Sequence, residues 1–157
     1  MTTISVTEPS ISVALPHSGL PSQPWVGQTA RFAGRLLRSS VAVISADGDV
    51  DASNADALTE YTLGRVTGCR GLVLDLSGLD FFGAEGFLAL HRISVNCARV
   101  GTGWAIVPGA AASRMLRICD PQGSLPLAGT VEAALGTLAN QLHRPPRLIT
   151  ACTNTDG

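Results

Sequence analysis

The sequence predicts an α/β domain with a mainly parallel sheet. Short apolar runs, Val41–Ile44, Leu72–Leu74 and Trp104–Val107, recur at even intervals along the chain. Between them lie segments whose apolar residues follow the three-to-four spacing of a helix, joined by short loops. Strands alternating with helices across short connections build parallel sheets, because each helix returns the chain to the same edge. At 157 residues the chain suits one domain, since single cores occupy roughly 100–200 residues.

The elements follow in order. Residues 1–28 hold Pro9, Pro16, Pro21 and Pro24, many Ser and Thr and no helical period. Such a segment buries too little apolar surface to offset chain entropy and reads as a tail. Arg31 to Arg38 alternates loosely as a first strand, and Val41–Ile44 is a second. Asp47-Gly48 is a turn signal. Asp51-Ala52-Ser53-Asn54 supplies N-cap residue types ahead of Ala55, Leu58, Tyr61 or Thr62, and Leu63 to Val66, a first helix that Gly68 ends. Leu72–Leu74 is a buried strand closed by Asp75-Leu76-Ser77-Gly78. A second helix runs from Ala84 to Val100, with Phe87, Leu88, Leu90, His91, Val95 and Ala98 on its buried face and Gly101 and Gly103 as its stop. Trp104–Val107 is the next strand, with Trp104 in the core, and an Ala-rich helix follows Pro108 to about Ile118. Leu125–Leu127 is a short edge strand, and Thr130 caps a last helix of Val131, Ala134, Leu135 and Leu138. Pro145-Pro146 stops that helix, and 143–157 reads as a C-terminal tail in which Leu148 and Ile149 offer a short docking strand. The predicted core is 30–142.

Composition narrows the function. All eleven basic residues are arginine and none is lysine, which removes Schiff-base, phosphate-loop-lysine and Ser–Lys chemistry. A net charge of −1 and seven aromatics speak against a nucleic-acid partner, which needs a surplus of cations and stacking surfaces. No apolar run reaches the length of a membrane span, and the amino terminus lacks the order of a signal peptide, so a cytoplasmic protein is expected. Cys69, Cys97, Cys119 and Cys152 lie far apart without metal-ligand spacing and read as free thiols. No enzyme constellation is visible: there is no Ser-His-Asp order, phosphate loop or metal cluster. His91 stands six residues after Glu85, outside the spacing at which helical side chains meet, which argues against a Glu–His pair.

Two segments stand out. Asp47, Asp49 and Asp51 crowd a strand end before a helix, which suits either a hard cation or a turn followed by an N-cap; the spacing is not that of an EF-hand loop. Gly83-Ala84-Glu85-Gly86-Phe87 opens a helix after a strand and a loop through Phe81-Phe82. Its glycines allow close backbone approach, and Glu85 is a first-turn acid that complements the helix dipole. Arg114 and Arg117 suit the end of the third helix in the same way, or an acidic partner.

Gly48-Asp49-Val50-Asp51-Ala52-Ser53-Asn54, followed by Leu72-Val73-Leu74-Asp75-Leu76-Ser77-Gly78-Leu79-Asp80-Phe81-Phe82-Gly83-Ala84-Glu85-Gly86, resembles the STAS-domain family. The nearest subgroup is the bacterial anti-sigma factor antagonists of actinobacterial or mycobacterial type. Gly129-Thr130-Val131-Glu132-Ala133-Ala134-Leu135 is similar to the family's last helix, so the resemblance spans about 30–142. It implies a STAS-like fold: a four- to five-stranded mixed, mainly parallel sheet with about four helices packed on one side. It implies a non-enzymatic regulator of transcription, without cofactor or metal, that binds an anti-sigma factor, often a serine kinase; a homodimer stays open.

In the family a serine within Asp-Ser-Ser-Gly at the second helix start is phosphorylated, which prevents tight binding. Position by position that motif falls on Gly83, Ala84, Glu85 and Gly86, with Glu85 at the phosphorylated serine. Neither Ala84 nor Glu85 has a hydroxyl, so phosphorylation there is chemically impossible. Phosphoserine carries about −1.5 to −2 charges and Glu one, held permanently. The resemblance also places Asp49, Asp51, Ser53 and Asn54, together with Gly83, Ala84, Gly86 and Phe87, on the partner-binding face. Ser45, Ser53 and Ser77 remain as other phosphorylation sites, and Asp75 as a turn cap. Cys69 and Cys97, near the ends of the first two helices, suggest a redox variant. The alternative is a STAS module that senses a nucleotide or lipid or scaffolds another regulatory protein.

Overall fold

The computed structural model describes residues 23–37 and 40–143. Five strands form one sheet in chain order: β1 (Trp25–Val26), β2 (Ala30–Leu36), β3 (Val41–Val50), β4 (Gly71–Phe82) and β5 (Gly103–Val107). The helices are α1 (Ala55–Val66), α2 (Ala84–Val100), α3 (Gly109–Cys119) and α4 (Val131–His143). The α/β class and mixed five-stranded sheet are as expected. The sheet is evenly rather than mainly parallel, because β1, β2 and β3 pair antiparallel while β3, β4 and β5 pair parallel.

Helix placement differs from a one-sided stack. Alternation along the strands puts Ile44, Leu74 and Ile106 on one face, under Leu58 of α1, Leu90 of α2 and Leu116 of α3. Val43, Val73 and Ala105 point the other way and are covered by Ala134 and Leu138 of α4. The run Leu72-Val73-Leu74 is wholly buried, so both faces of β4 need a cover and one helical layer supplies only one. Full burial of each such side chain contributes roughly 1.5–3 kcal/mol, which is what holds α4 across the sheet.

Both central strands outrun their expected ends. Asp47-Gly48 does not turn: it lies within β3, paired to Arg31 and Ala30 of β2 on one side and to Gly78 and Leu79 of β4 on the other. Gly48 takes φ +97° at a register shift, a bulge that re-aims the strand and that only glycine adopts without strain. Asp75-Leu76-Ser77-Gly78 likewise continues β4. Ladders on both sides of each strand override the local turn chemistry. Phe81-Phe82 is accordingly the end of β4 and not a loop. Leu125–Leu127 contributes a single bridge, Ile106 to Leu127, instead of a strand.

The expected N-terminal tail reaches too far. Trp25 and Val26 pair with Phe32 and Arg31, Trp25 stacks on Phe32 at 4.7 Å, and the Tyr61 hydroxyl donates to the Gln23 carbonyl at 2.9 Å. The fold thus includes the chain from Gln23. Residues 1–22 lie outside the described residues, as do Arg38 and the segment 144–157 with Pro145-Pro146, Leu148, Ile149 and Cys152. On α2 the buried side is Gly86, Ala89, Leu90, Ile93 and Cys97. Leu88, His91, Val95 and Ala98, expected in the core, are exposed, because the sheet meets the helix along the small residues that let it approach closely.

Candidate functional site at the start of the second helix

The carboxyl ends of the parallel strands β3 and β4 lie side by side, and from them the chain passes into α1 and α2. Asn54 organises the turn that leads into α1. Its side chain is 4% exposed; its oxygen accepts from the Asp51 N–H at 3.0 Å, and its amide donates to the Asp49 carbonyl at 2.9 Å and the Thr29 hydroxyl at 3.2 Å. The turn is therefore pinned to the strand it leaves and to the approach to β2. Asp51 accepts from the Ser53 hydroxyl at 2.6 Å and from the Ser53 N–H at 2.9 Å. These bonds, the hydroxyl first, hold its carboxyl below the ordinary carboxylate range, because they favour the ionised form.

The start of α2 is anchored by backbone. The Gly83 N–H donates to the Val50 carbonyl at 3.0 Å, so the end of β3 fixes where α2 begins. Gly83 is its N-cap, extended and with no side-chain cap. Gly86 is buried against Phe82; a Cβ there would stand 2.5 Å from the ring, so glycine lets α2 start this close to the sheet. Glu85 is exposed in the uncapped first turn, where its charge complements unpaired N–H groups.

The starts of α1 and α2 enclose a cavity of about 150 Å³, to which Ala52 and Asp56 contribute from one side and Glu85, Leu88 and Arg92 from the other. Arg92 donates to Asp56 at 2.7 Å, the one ion pair among the described residues; the two side chains are 59% and 80% exposed. Of the expected partner-facing residues, Ala84, Glu85 and Ser53 are exposed, and Asp49, Asp51 and Phe87 are half-buried. Asn54, Gly83 and Gly86 are buried and act by positioning the others. Sequence patterns did not single out Asp56, Leu88 and Arg92 for this site. Leu88 and Arg92 stand three and seven residues after Glu85, the spacing of one helix face, but Asp56 joins them only through tertiary packing.

Acids concentrate at one end of the domain, with Arg31 opposite Asp47 and Arg92 on Asp56 among them. Asp47, Asp49 and Asp51 on β3 and its exit, Asp80 on β4, and Asp56 and Glu85 in the first turns of α1 and α2 gather at the carboxyl ends of the strands. Arg65 and Arg99 close the last turns of the same helices, and Arg35 and Arg70 stand at the opposite edge, beside the starts of β3 and β4. The arrangement follows the helix dipoles. Among the described residues no group of three His, Cys, Asp or Glu side chains is placed to hold a metal ion, and no helix is long and apolar enough to cross a membrane.

Other candidate residues lie apart from this site. Ser77 is exposed and donates its hydroxyl to Asp75 at 2.6 Å, Ser45 is half-buried, and Trp104 is core. Cys97 is buried, and burial pushes its thiol up to about 11; burial raises Cys69 as well. Both stay protonated, the opposite of an activated thiol. Arg117 borders a separate cavity of about 420 Å³ at the end of α3, with Ser113 and Asp120.

Comparison with known proteins agrees with this architecture. The model of the STAS domain matches residues 37–134. Osmosensory protein A of Mycobacterium tuberculosis is 30% identical over 117 residues, 72% of this chain and 74% of that protein. Anti-sigma-F factor antagonist RsfA of the same organism is 31% identical over 100 residues, 61% of this chain and 78% of its own. The crystal structure of an anti-sigma factor antagonist from Mycobacterium paratuberculosis superposes with a TM-score of 0.58 at 28% identity, covering 64% of this chain and 86% of that one. The chain belongs to the STAS-domain family.

Proposed function

We propose that this protein is a non-enzymatic, cytoplasmic regulator of transcription that binds an anti-sigma factor, and that it docks through the turn at 51–54 and the start of α2. The observation that carries the reading is Glu85, an exposed carboxylate in the uncapped first turn of α2 and beside a cavity walled by the starts of α1 and α2; the sequence resemblance assigns it to the family's switch position. Relatives named as anti-sigma factor antagonists support the partner class. Glu85 holds one negative charge permanently where a phosphorylatable member gains about −1.5 to −2. A kinase partner finds no hydroxyl there, so what position 85 contributes to affinity is a constant charge and not a phosphorylation cycle.

Pairwise pull-down against the anti-sigma factors of the same genome tests this, using wild type, Glu85→Ser and Glu85→Ala. At least one factor should be retained, with affinity changed by both substitutions, and Glu85→Ser should become a substrate if that factor is a kinase. Retention of none, or identical retention of all three proteins, returns Glu85 to a plain first-turn acid. The 420 Å³ cavity beside Arg117 supports a second reading, a ligand-sensing module, because its volume lies within the roughly 300–1,000 Å³ of small-molecule sites. A nucleotide-dependent shift in melting temperature, lost in Arg117→Ala, is its test.

A further inference from the structure

The face around Glu85 joins three properties on one surface. Leu88 and Val95, seven residues apart on α2, are 55% and 54% exposed, and Phe81 at the end of β4 is 51% exposed. The Phe81 ring and the Glu85 carboxylate both flank Gly83, and exposed apolar side chains of this size around a charged site mark an interaction surface. Acids border this stripe, since Asp56 and Glu85 share the cavity beside Leu88 and Asp80 precedes Phe81. The cavity holds about 150 Å³, well below small-molecule sites but enough for the end of one long side chain. An internal cation, Arg92, is already seated on Asp56 in a pair so exposed that it contributes roughly 0–1 kcal/mol.

We propose that this face takes a basic and partly apolar segment of its partner, and that Arg92 occupies in the free protein the place on Asp56 that a cation of that partner takes in the complex. The inference rests on the docking reading above and adds the chemistry of the partner. Two carboxylates share the cavity with one arginine, so a further cation meets unbalanced negative charge while an acidic segment is repelled. The incoming cation exchanges one exposed ion pair for another, which costs little. Glu85 makes no ion pair among the described residues and is free to accept it. The apolar stripe supplies the contact area, and the charges supply orientation and a salt-dependent on-rate.

The test uses the full chain and two fluorescein-labelled peptides of about twelve residues, alternating Leu with Arg or Leu with Glu, read by fluorescence polarisation. The Arg peptide should bind and weaken as salt rises from about 50 to 300 mM, and the Glu peptide should not bind. Asp56→Asn, Glu85→Gln and Leu88→Ala should each weaken binding about five- to tenfold, whereas Arg92→Ala should tighten it about threefold. Glu132→Gln on α4, an exposed acid on the opposite layer, should change nothing, and thermal melts confirm that each variant is folded. Equal binding of both peptides, equal loss in Glu132→Gln, or weakening by Arg92→Ala overturns the proposal. So does self-association abolished by Glu85→Gln in sedimentation velocity, which assigns the face to a second copy. An anti-sigma factor that binds while the charge variants stay silent sinks this inference and leaves the docking reading standing. A charge-dependent peptide with no factor retained does the reverse.

Discussion

Truncating Asn54 to alanine is the most direct probe of how the site is built. The side chain is buried and makes three hydrogen bonds, of 2.9, 3.0 and 3.2 Å, to Asp49, Asp51 and Thr29. Each is worth about 1 kcal/mol net, and a buried partner left unpaired adds a desolvation penalty. Asp49 and Asp51 are only half-buried, so water recovers most of that penalty and the expected loss is about 3–4 kcal/mol. This is a large share of the roughly 5–15 kcal/mol that holds a domain folded. Asn54→Asp should cost more than the alanine, because it turns a donor into an acceptor against the Asp49 carbonyl and adds charge beside Asp51. Ser53→Ala, one residue away and exposed, removes a bond to Asp51 but keeps the N–H bond, so it should stay within about 0.5 kcal/mol. Urea unfolding followed by circular dichroism reads all three as midpoint shifts at constant slope. A change below about 0.5 kcal/mol in Asn54→Ala, or an Asp variant more stable than the Ala one, would refute the assignment of Asn54 as the pin of the turn.

Two glycines in helices should respond with opposite signs to alanine. Gly86→Ala drives a Cβ to 2.5 Å from the buried Phe82 ring and should cost about 1–3 kcal/mol, whereas Gly64→Ala in α1 meets nothing within 4 Å and should gain about 0.5–1 kcal/mol. Differential scanning calorimetry distinguishes them by the direction of the melting-temperature change. Cys97, an acid whose folded value is raised to about 11, stays neutral while the unfolded thiol ionises. Stability should therefore fall as pH rises from about 9 to 11, and Cys97→Ala should remove that slope from alkaline unfolding curves. Asp51 works at the other end of the scale: its lowered value stabilises the fold above the ordinary 3.8, and that contribution is lost as pH falls through the folded value. Carboxyl NMR titration should show the Asp51 midpoint rise in Ser53→Ala, and an unmoved midpoint removes Ser53 as its cause.

Strand and helix order was legible because apolar runs and helical periods are local properties of the chain. Val41–Ile44, Leu72–Leu74 and Trp104–Val107 each lie in a strand, and the helix from Ala84 to Val100 has its expected bounds. Strand ends were not legible. Asp47-Gly48 and Asp75–Gly78 carry turn chemistry, and what keeps them extended is pairing with neighbours distant in sequence. Trp25 and Val26 lie in a proline-rich stretch with no period, and only the Phe32 ring and the edge of β2 give them a place. The buried face of α2 was missed for a related reason: Gly86 and Ala89 bury little area themselves, yet they decide which side of the helix comes closest to the sheet.

At the candidate site the division follows the range of the forces involved. Covalent chemistry at position 85 is a matter of residue type, so the sequence alone determined that Ala84 and Glu85 offer no hydroxyl at the start of the second helix and that Glu85 brings a carboxylate there. The run Leu72-Val73-Leu74 marked a buried strand, but the expected helices lay on one side of the sheet, and only the fold showed that α4 covers the second face. The meeting of Asp56, Glu85, Leu88 and Arg92 around one cavity was decided by tertiary structure alone. So was the concentration of acids at the carboxyl ends of β3 and β4, hidden in a net charge of −1. Coulombic and packing interactions depend on distance in space, and parallel strands bring the ends of β3 and β4 together across some thirty residues of intervening chain.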